Sequence, residues 1–531
     1  MWFLILVAFI SLLVYLSIFK VNTYWTRKCV PQLTPLPLIG NMGSIILRKK
    51  EVSHITQDIY NSFPNSRYYG IIQFGNPLLY VRDLDLIKRI TVKDFDQFSD
   101  HNSFIAENVD PLMRKNLFSL GGQEWRDMRA TLSPSFTTSK IKTLFELLND
   151  CAREFVAYFE RAQEDLIQVE MKDISTRFTN DAIASVVFGF KCDSLKDRNN
   201  EFYSMGVMTE DNSGGLRFLL MGIFALFPFL QKLSKVDMIP GTVSKFFRRV
   251  VKETIYKREV EGFVRHDMIN LLLEARKGVT AVEESDLAAP SEFSAVEESK
   301  SHHGKPKLEL TDEDITAQAF IFFVGGFETT SSAMTFMSYE LATNPDVQEK
   351  LQAEVDETLS ECEGKLSYHA LQRMKYLDMV VSETLRKWPP GYQLDRRCVK
   401  DYVVQPEKVH EKTFTIERGS KVIIPVMGIH YDPQYFPNPD RFDPERFSDE
   451  NKVKIHPYSY LPFGSGPRNC IGARLVPFQT KLVLFHLLGK YRLVPTEKTV
   501  IPFELHKASF SQFSANGYWL GLEPRKDAPK L

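Results

Sequence analysis

Phe463-Gly464-Ser465-Gly466-Pro467-Arg468-Asn469-Cys470-Ile471-Gly472 decides how this chain is read. One cysteine closes a glycine-rich loop just before an apolar, helix-like run from Ile471 to Leu488. A thiolate at a helix start is stabilised by the helix dipole and by the free N–H groups there. No second cysteine stands in C-x-x-C spacing, which argues against a zinc knuckle or an iron–sulfur cage. A single thiolate donated along one metal axis suits haem iron. Gly466 and Gly472 allow close backbone approach to a flat cofactor, and Arg468 offers a charge for an acidic group on it. The plainer alternative is a structural cysteine buried in a glycine turn.

A long helix is expected from Thr311 to Asn344. Thr311 and Asp314 form a capping-box start, and Pro345 opens the next element. Inside it lies Gly325-Gly326-Phe327-Glu328-Thr329-Thr330. Two adjacent glycines cost a helix about 1 kcal/mol each, so close packing or a bulge is expected there. The acid and alcohol that follow suit proton transfer. Further on, Glu383-Thr384-Leu385-Arg386 puts an acid and a base one turn apart. By itself that is an ordinary surface pair. Pro444-Glu445-Arg446-Phe447 follows it, and Trp125 with Arg129 precedes it on one helix face.

These motifs resemble the cytochrome P450 signatures F-x-x-G-x-R-x-C-x-G, [A/G]-G-x-[D/E]-T-[T/S], E-x-x-R, P-E-R-F and W-x-x-x-R, in the family's order. The resemblance covers essentially everything after residue 30. It implies a mainly α fold with a small β-lobe and a haem b cofactor. Cys470 would be the axial iron ligand, with Phe463, Gly466, Arg468 and Gly472 in the cofactor loop. Trp125, Arg129 and Arg396 would serve the haem propionates, with Arg397 the immediate rival of Arg396. Thr329 would hydrogen-bond bound dioxygen, and Glu328 would feed protons through water. Glu383, Arg386 and Arg446 would form a buried structural triad. Substrate-facing positions carried over are Phe118 in the Ser103–Phe118 loop, Phe320 and Val324 on the long helix, Leu394 in the turn from Gly391, and Phe510. Plain core is the alternative for each apolar one.

The narrower likeness is to microsomal animal members, especially insect family 9. It implies insertion of one atom of dioxygen into a lipophilic molecule. Electrons would come from NADPH through a separate cytochrome P450 reductase, with cytochrome b5 an optional helper. Two rivals stand beside this reading: a haem-thiolate enzyme that rearranges peroxides, and a membrane-anchored haem or lipophile carrier. After Cys470 the family usually continues R-F-A-x-x-E-x-K. Here Leu475, Val476, Pro477 and Gln479 depart, and Pro477 predicts a kinked or late-starting helix.

The chain has 531 residues and a formal net charge of −1, so nothing in its charge favours nucleic acid. Its six scattered cysteines fit a reducing compartment. Residues 1–19 are uncharged and nearly all apolar, followed by Lys20, Arg27 and Lys28. This predicts an uncleaved anchor with the body on the cytosolic face of the endoplasmic reticulum, a cleaved signal peptide being the rival. Residues 20–40 read as a basic, Pro-rich hinge, and 41–531 as the catalytic domain. Tyr68 to Arg82 predicts a hairpin around Gly75-Asn76-Pro77. Phe218–Leu230 reads as a surface helix at the bilayer interface or as a core helix. Ala281–Lys307, where Ala-Val-Glu-Glu-Ser occurs twice, reads as a loop.

Overall fold

The computed structural model describes residues 12, 15, 18–47, 50–102, 110–210, 239–265, 267–277, 310–505, 514 and 516–529. Most of the expected anchor, the Phe218–Leu230 stretch, the Ala281–Lys307 loop and Phe510 lie outside them. Among the described residues no helix is long and apolar enough to cross a membrane.

Helices dominate, as expected. The long helix runs Asp312–Thr343, 32 residues and therefore about 48 Å. Its start is the anticipated capping box: Thr311 accepts from the Asp314 N–H, and Asp314 accepts from the Thr311 N–H. Pro345 then begins the next helix, where its missing N–H does no harm. From Ile315 to Ala342 most of the long helix is buried, so it passes through the main core rather than over it. Against it pack the helices Met171–Ile183, Gly241–Glu259, Lys375–Lys387 and Leu475–Leu488, and Phe145–Glu160 packs on the first and last of these.

Nine strands form three small sheets among the described residues: β1 (Tyr68–Gln73), β2 (Asn76–Val81), β3 (Ile167–Glu170), β4 (Leu394–Arg397), β5 (Tyr402–Val404), β6 (Phe414–Ile416), β7 (Lys421–Ile424), β8 (Tyr491–Val494) and β9 (Trp519–Pro524). The largest has the order β1-β2-β7-β4, the second β3-β9-β8, the third β5-β6. The predicted hairpin is β1–β2, in register from Tyr68 against Val81 to Gln73 against Asn76. Phe74 and Gly75 both take positive φ, the turn geometry that matches strand twist. Alternation sends Tyr68 and Ile72 into one core cluster and Tyr69 and Ile71 into another, so this sheet is covered on both faces.

The Pro-rich segment is docked to that sheet. Gly70 donates to the Pro31 carbonyl at 2.7 Å, and Asn41 donates to the Ile72 carbonyl at 2.7 Å. Trp25 is buried against Gly70, where a Cβ would lie 2.1 Å from the indole.

The helix after Cys470 starts late, at Leu475, with Pro477 in its first turn. In that turn N–H groups have no intrahelical partner, so the proline delays the helix without breaking it. The gap between this helix, the long helix and the Lys375–Lys387 helix is lined by Ala333, Leu385, Val476 and Pro477, and leaves no room for a water molecule.

Candidate functional site

The Cys470 loop folds back on itself. Cys470 donates to the Phe463 carbonyl at 2.9 Å, and Asn469 donates to the Gly466 carbonyl at 3.0 Å. Gly464 and Gly466 both sit at φ +75°. At Gly466 an added Cβ would fall 1.8 Å from the Thr91 carbonyl oxygen, so the protein's own backbone already requires a glycine here. Gly472 does border the thiol: its Cβ would stand 3.9 Å from Cys470 Sγ, and its N–H hydrogen-bonds the sulfur. Cys470 is exposed by surface area, yet dense surrounding protein raises its thiol pKa by desolvation. The two facts together describe a side chain lining a recess. Losing its proton there requires a compensating cation, as a coordinated metal supplies.

Positive charge collects beside it. Arg129 donates to the Asn469 carbonyl at 3.0 Å and to Asn469 Oδ1 at 2.7 Å, gripping the residue before the cysteine. Arg468 lies over the buried Trp125 ring at 4.2 Å. It donates through Nε to the Ser99 carbonyl at 2.7 Å and through a terminal nitrogen to the Leu120 carbonyl at 2.5 Å. Strand alternation turns Arg396 inward, only 1% exposed, and leaves Arg397 facing out. Arg396 reaches the Asp395 carbonyl at 2.8 Å, while its Nε is buried with no partner among the described residues. Burial depresses both cations, Arg396 to about 10 and Arg468 to about 9, and for Arg468 the charge of Arg396 adds to the effect. The neighbouring acids compensate them only in part. Asp395 is taken up by His101 at 2.9 Å and the Asn102 N–H at 2.5 Å, and Asp100 stands 3.8 Å from Arg468.

An accessible thiol beside buried, undercompensated guanidinium groups suits a flat cofactor that carries carboxylates and binds its metal through sulfur. Residues 30–520 match the family described as Cytochrome P450. The chain belongs to the cytochrome P450 family. It is 44% identical to Cytochrome P450 9e2 of Blattella germanica, covering 98% of this chain and 97% of that one. Against Probable cytochrome P450 9f2 of Drosophila melanogaster the identity is 41%, covering 95% of each chain. Against Cytochrome P450 6a2 of the same fly it is 37%, covering 98% of each. The chain is thus an insect family 9-like P450, a monooxygenase-type oxidoreductase with haem b as its cofactor.

The P450's acid–base pair on the Lys375–Lys387 helix is buried to 0% side-chain exposure on both members. Glu383 takes Arg386 in a fork, 2.7 Å to Nε and 2.9 Å to a terminal nitrogen, and Arg446 Nε approaches at 3.4 Å. Burial works against both charges, but Glu383 keeps Arg386 protonated and its pKa raised. The remaining donors of Arg386 go to the carbonyls of His430 at 3.0 Å and Pro439 at 2.8 Å.

His430 was not anticipated. The Leu461 N–H donates to His430 Nε2 at 2.9 Å, so Nδ1 carries the ring proton and donates to the Arg386 carbonyl, also at 2.9 Å. This neutral imidazole ties the Glu383–Arg386 pair to the stretch leading into the cysteine loop, because Leu461 in turn accepts from Gly464. Burial lowers its pKa to about 3. A lone histidine in His430-Tyr431-Asp432 carries no spacing signal, which is why sequence reasoning passed over it.

The long helix stays α-helical through Gly325-Gly326 rather than bulging. Gly326 instead packs on Ile183, 3.1 Å from an added Cβ, whereas a Cβ on Gly325 would meet nothing within 4 Å. Thr329 Oγ1 donates back to the Gly325 carbonyl at 2.5 Å. Glu328 is held by Lys172 of the Met171–Ile183 helix, Nζ to Oε2 2.7 Å. Lys172 also escaped sequence reasoning, since no motif links residues so far apart.

The substrate positions divide. Phe320 is core, 1% exposed and edge-on to Phe247 at 5.1 Å. Val324 is partly buried, and Leu394 lies against Gly464, 3.6 Å from an added Cβ. Phe118 is 55% exposed and stacks on His101 at 4.4 Å.

Proposed function

We propose that this P450 is a membrane-anchored monooxygenase that oxidises lipophilic small molecules, xenobiotic or endogenous, with NADPH-derived electrons from a separate reductase. The observation that carries the site is the recessed Cys470 thiol beside Arg396, whose buried Nε has no partner among the described residues. Cys470 would hold haem b through its thiolate, and the haem would supply the chemistry that puts one atom of dioxygen into the substrate and releases the other as water.

The chain's own residues do the rest. Arg396, Arg468 and Arg129 hold and orient the carboxylates, with Trp125 beneath Arg468. Thr329 and Glu328 stand on the stretch of the long helix that opens at Gly325, placed to hand on the protons that water formation consumes. That an acid and an alcohol are kept there favours dioxygen chemistry over peroxide rearrangement or passive carriage. The apolar residues 1–19, with exposed Leu36, Leu38 and Leu47 just beyond, support attachment to the endoplasmic reticulum with the body in the cytosol.

The test is the absorption spectrum of the reduced, carbon monoxide-bound protein. The wild type is expected to show the strongly red-shifted thiolate band, and Cys470→His is expected to lose it. Retention of the band in Cys470→His assigns the iron to another cysteine and refutes the site.

A further inference from the structure

The best-connected polar group on the flank of the long helix is Lys172. Its ammonium lies 2.7 Å from Glu328 Oε2, 2.7 Å from Ser331 Oγ, 2.9 Å from Ser332 Oγ and 3.3 Å from the Glu328 carbonyl. Ser332 Oγ donates onward to Glu328 Oε1 at 3.1 Å. Both carboxylate oxygens are therefore engaged, one directly and one through a hydroxyl. The side chains are 12% and 20% exposed, so the pair is shielded without being sealed. Lys172 is itself fixed, because the helix beginning at Met171 is capped by Glu170 and tied to the Tyr518 carbonyl at 2.7 Å. A charge held this rigidly on a partly dehydrated carboxylate sets where that carboxylate points.

We propose that Lys172 is the positioning residue for proton delivery in this enzyme, fixing the direction of the Glu328 carboxylate with Ser332 as the bridging hydroxyl. The inference rests on the reading of Glu328 as the proton-handling acid. Without the ammonium, Glu328 loses its fixed direction, protons arrive late, and reduced oxygen escapes as hydrogen peroxide in place of water. The fork of an arginine can span the same acceptors, so a cation of the other kind substitutes in part.

The experiment uses full-length, haem-loaded protein with NADPH and reductase, and measures hydrogen peroxide released per NADPH consumed, which requires no known substrate. Lys172→Met and Glu328→Gln are each expected to raise this ratio severalfold, the double variant no further, and Lys172→Arg to restore most of the wild-type value. The carbon monoxide spectrum is expected to stay unchanged throughout. Thermal unfolding of the wild type, the two single variants and the double variant without NADPH is expected to be non-additive for Lys172→Met and Glu328→Gln. If Glu328→Gln raises the ratio and Lys172→Met does not, the inference fails while the role of Glu328 stands. If Glu328→Gln leaves the ratio unchanged, the reading of Glu328 fails and the inference with it. Should Lys172→Met fold poorly, Lys172→Gln keeps a donor but removes the charge and is read the same way.

Discussion

Two buried arginines, Arg386 and Arg396, have opposite surroundings. Arg386 is 0% exposed and meets a carboxylate fork plus backbone carbonyls, and its pKa is raised. Arg396 is 1% exposed, meets two carbonyls and no carboxylate, keeps an orphaned Nε, and its pKa is depressed. A protein that leaves a charge uncompensated in its interior spends stability there. The first arginine belongs to a scaffold complete within the chain. The second keeps a buried donor that the chain's described residues do not meet, and a carboxylate of haem b, the partner proposed for it above, would meet it.

Breaking the complete side has the largest expected effect. Arg386→Leu leaves the buried Glu383 with only Arg446, at 3.4 Å, to offset its charge, and a loss of about 3–5 kcal/mol is expected in chemical unfolding, with little recoverable holoprotein. Unfolding within about 1 kcal/mol of wild type would show that the pair is dispensable and erase the contrast.

His430 sharpens the same side through pH. Its folded pKa of about 3 lies below the unfolded value near 6.5, so the unfolded chain binds the extra proton between them. The stability it contributes is fully present above that window and is lost as pH falls through it, at about 1.4 kcal/mol per pH unit. His430→Phe is expected to flatten this acid slope, leaving the smaller share of His486, also depressed to about 4 by burial. An unchanged slope would mean that other groups dominate acid unfolding.

The incomplete side predicts the opposite sign. Arg396→Met removes an uncompensated charge, so the apoprotein is expected to be at least as stable as wild type. Haem loss to a scavenger protein is expected to quicken by the equivalent of about 1.5–3 kcal/mol. Arg397→Met, one residue away on the outer face, is the control, with changes under about 0.5 kcal/mol in both measurements. Equal haem loss from the two variants would dissolve the distinction between them.

The sequence by itself determined the elements whose causes are local. The hairpin between Tyr68 and Arg82, whose turn falls at Phe74-Gly75, one residue before the expected Gly75-Asn76-Pro77, the capping box at Thr311, the stop at Pro345 and the delayed helix at Pro477 all depend on residues within a turn or two of one another. The site was legible as motifs, because each match lies within ten residues: the cysteine loop, the Glu383–Arg386 pair, and the acid beside Thr329. What those residues touch was not legible. Nothing near Gly466 in the sequence shows that the Thr91 carbonyl packs against it. Arg396 and its rival Arg397 differ in burial only once strand pairing turns the first inward. Lys172 reaches Glu328 across 156 residues, and His430 reaches Leu461 and Arg386 across 31 and 44. Only the tertiary structure decided these partners, because hydrogen bonds and charge pairs act over a few ångströms of space and carry no trace of their separation along the chain.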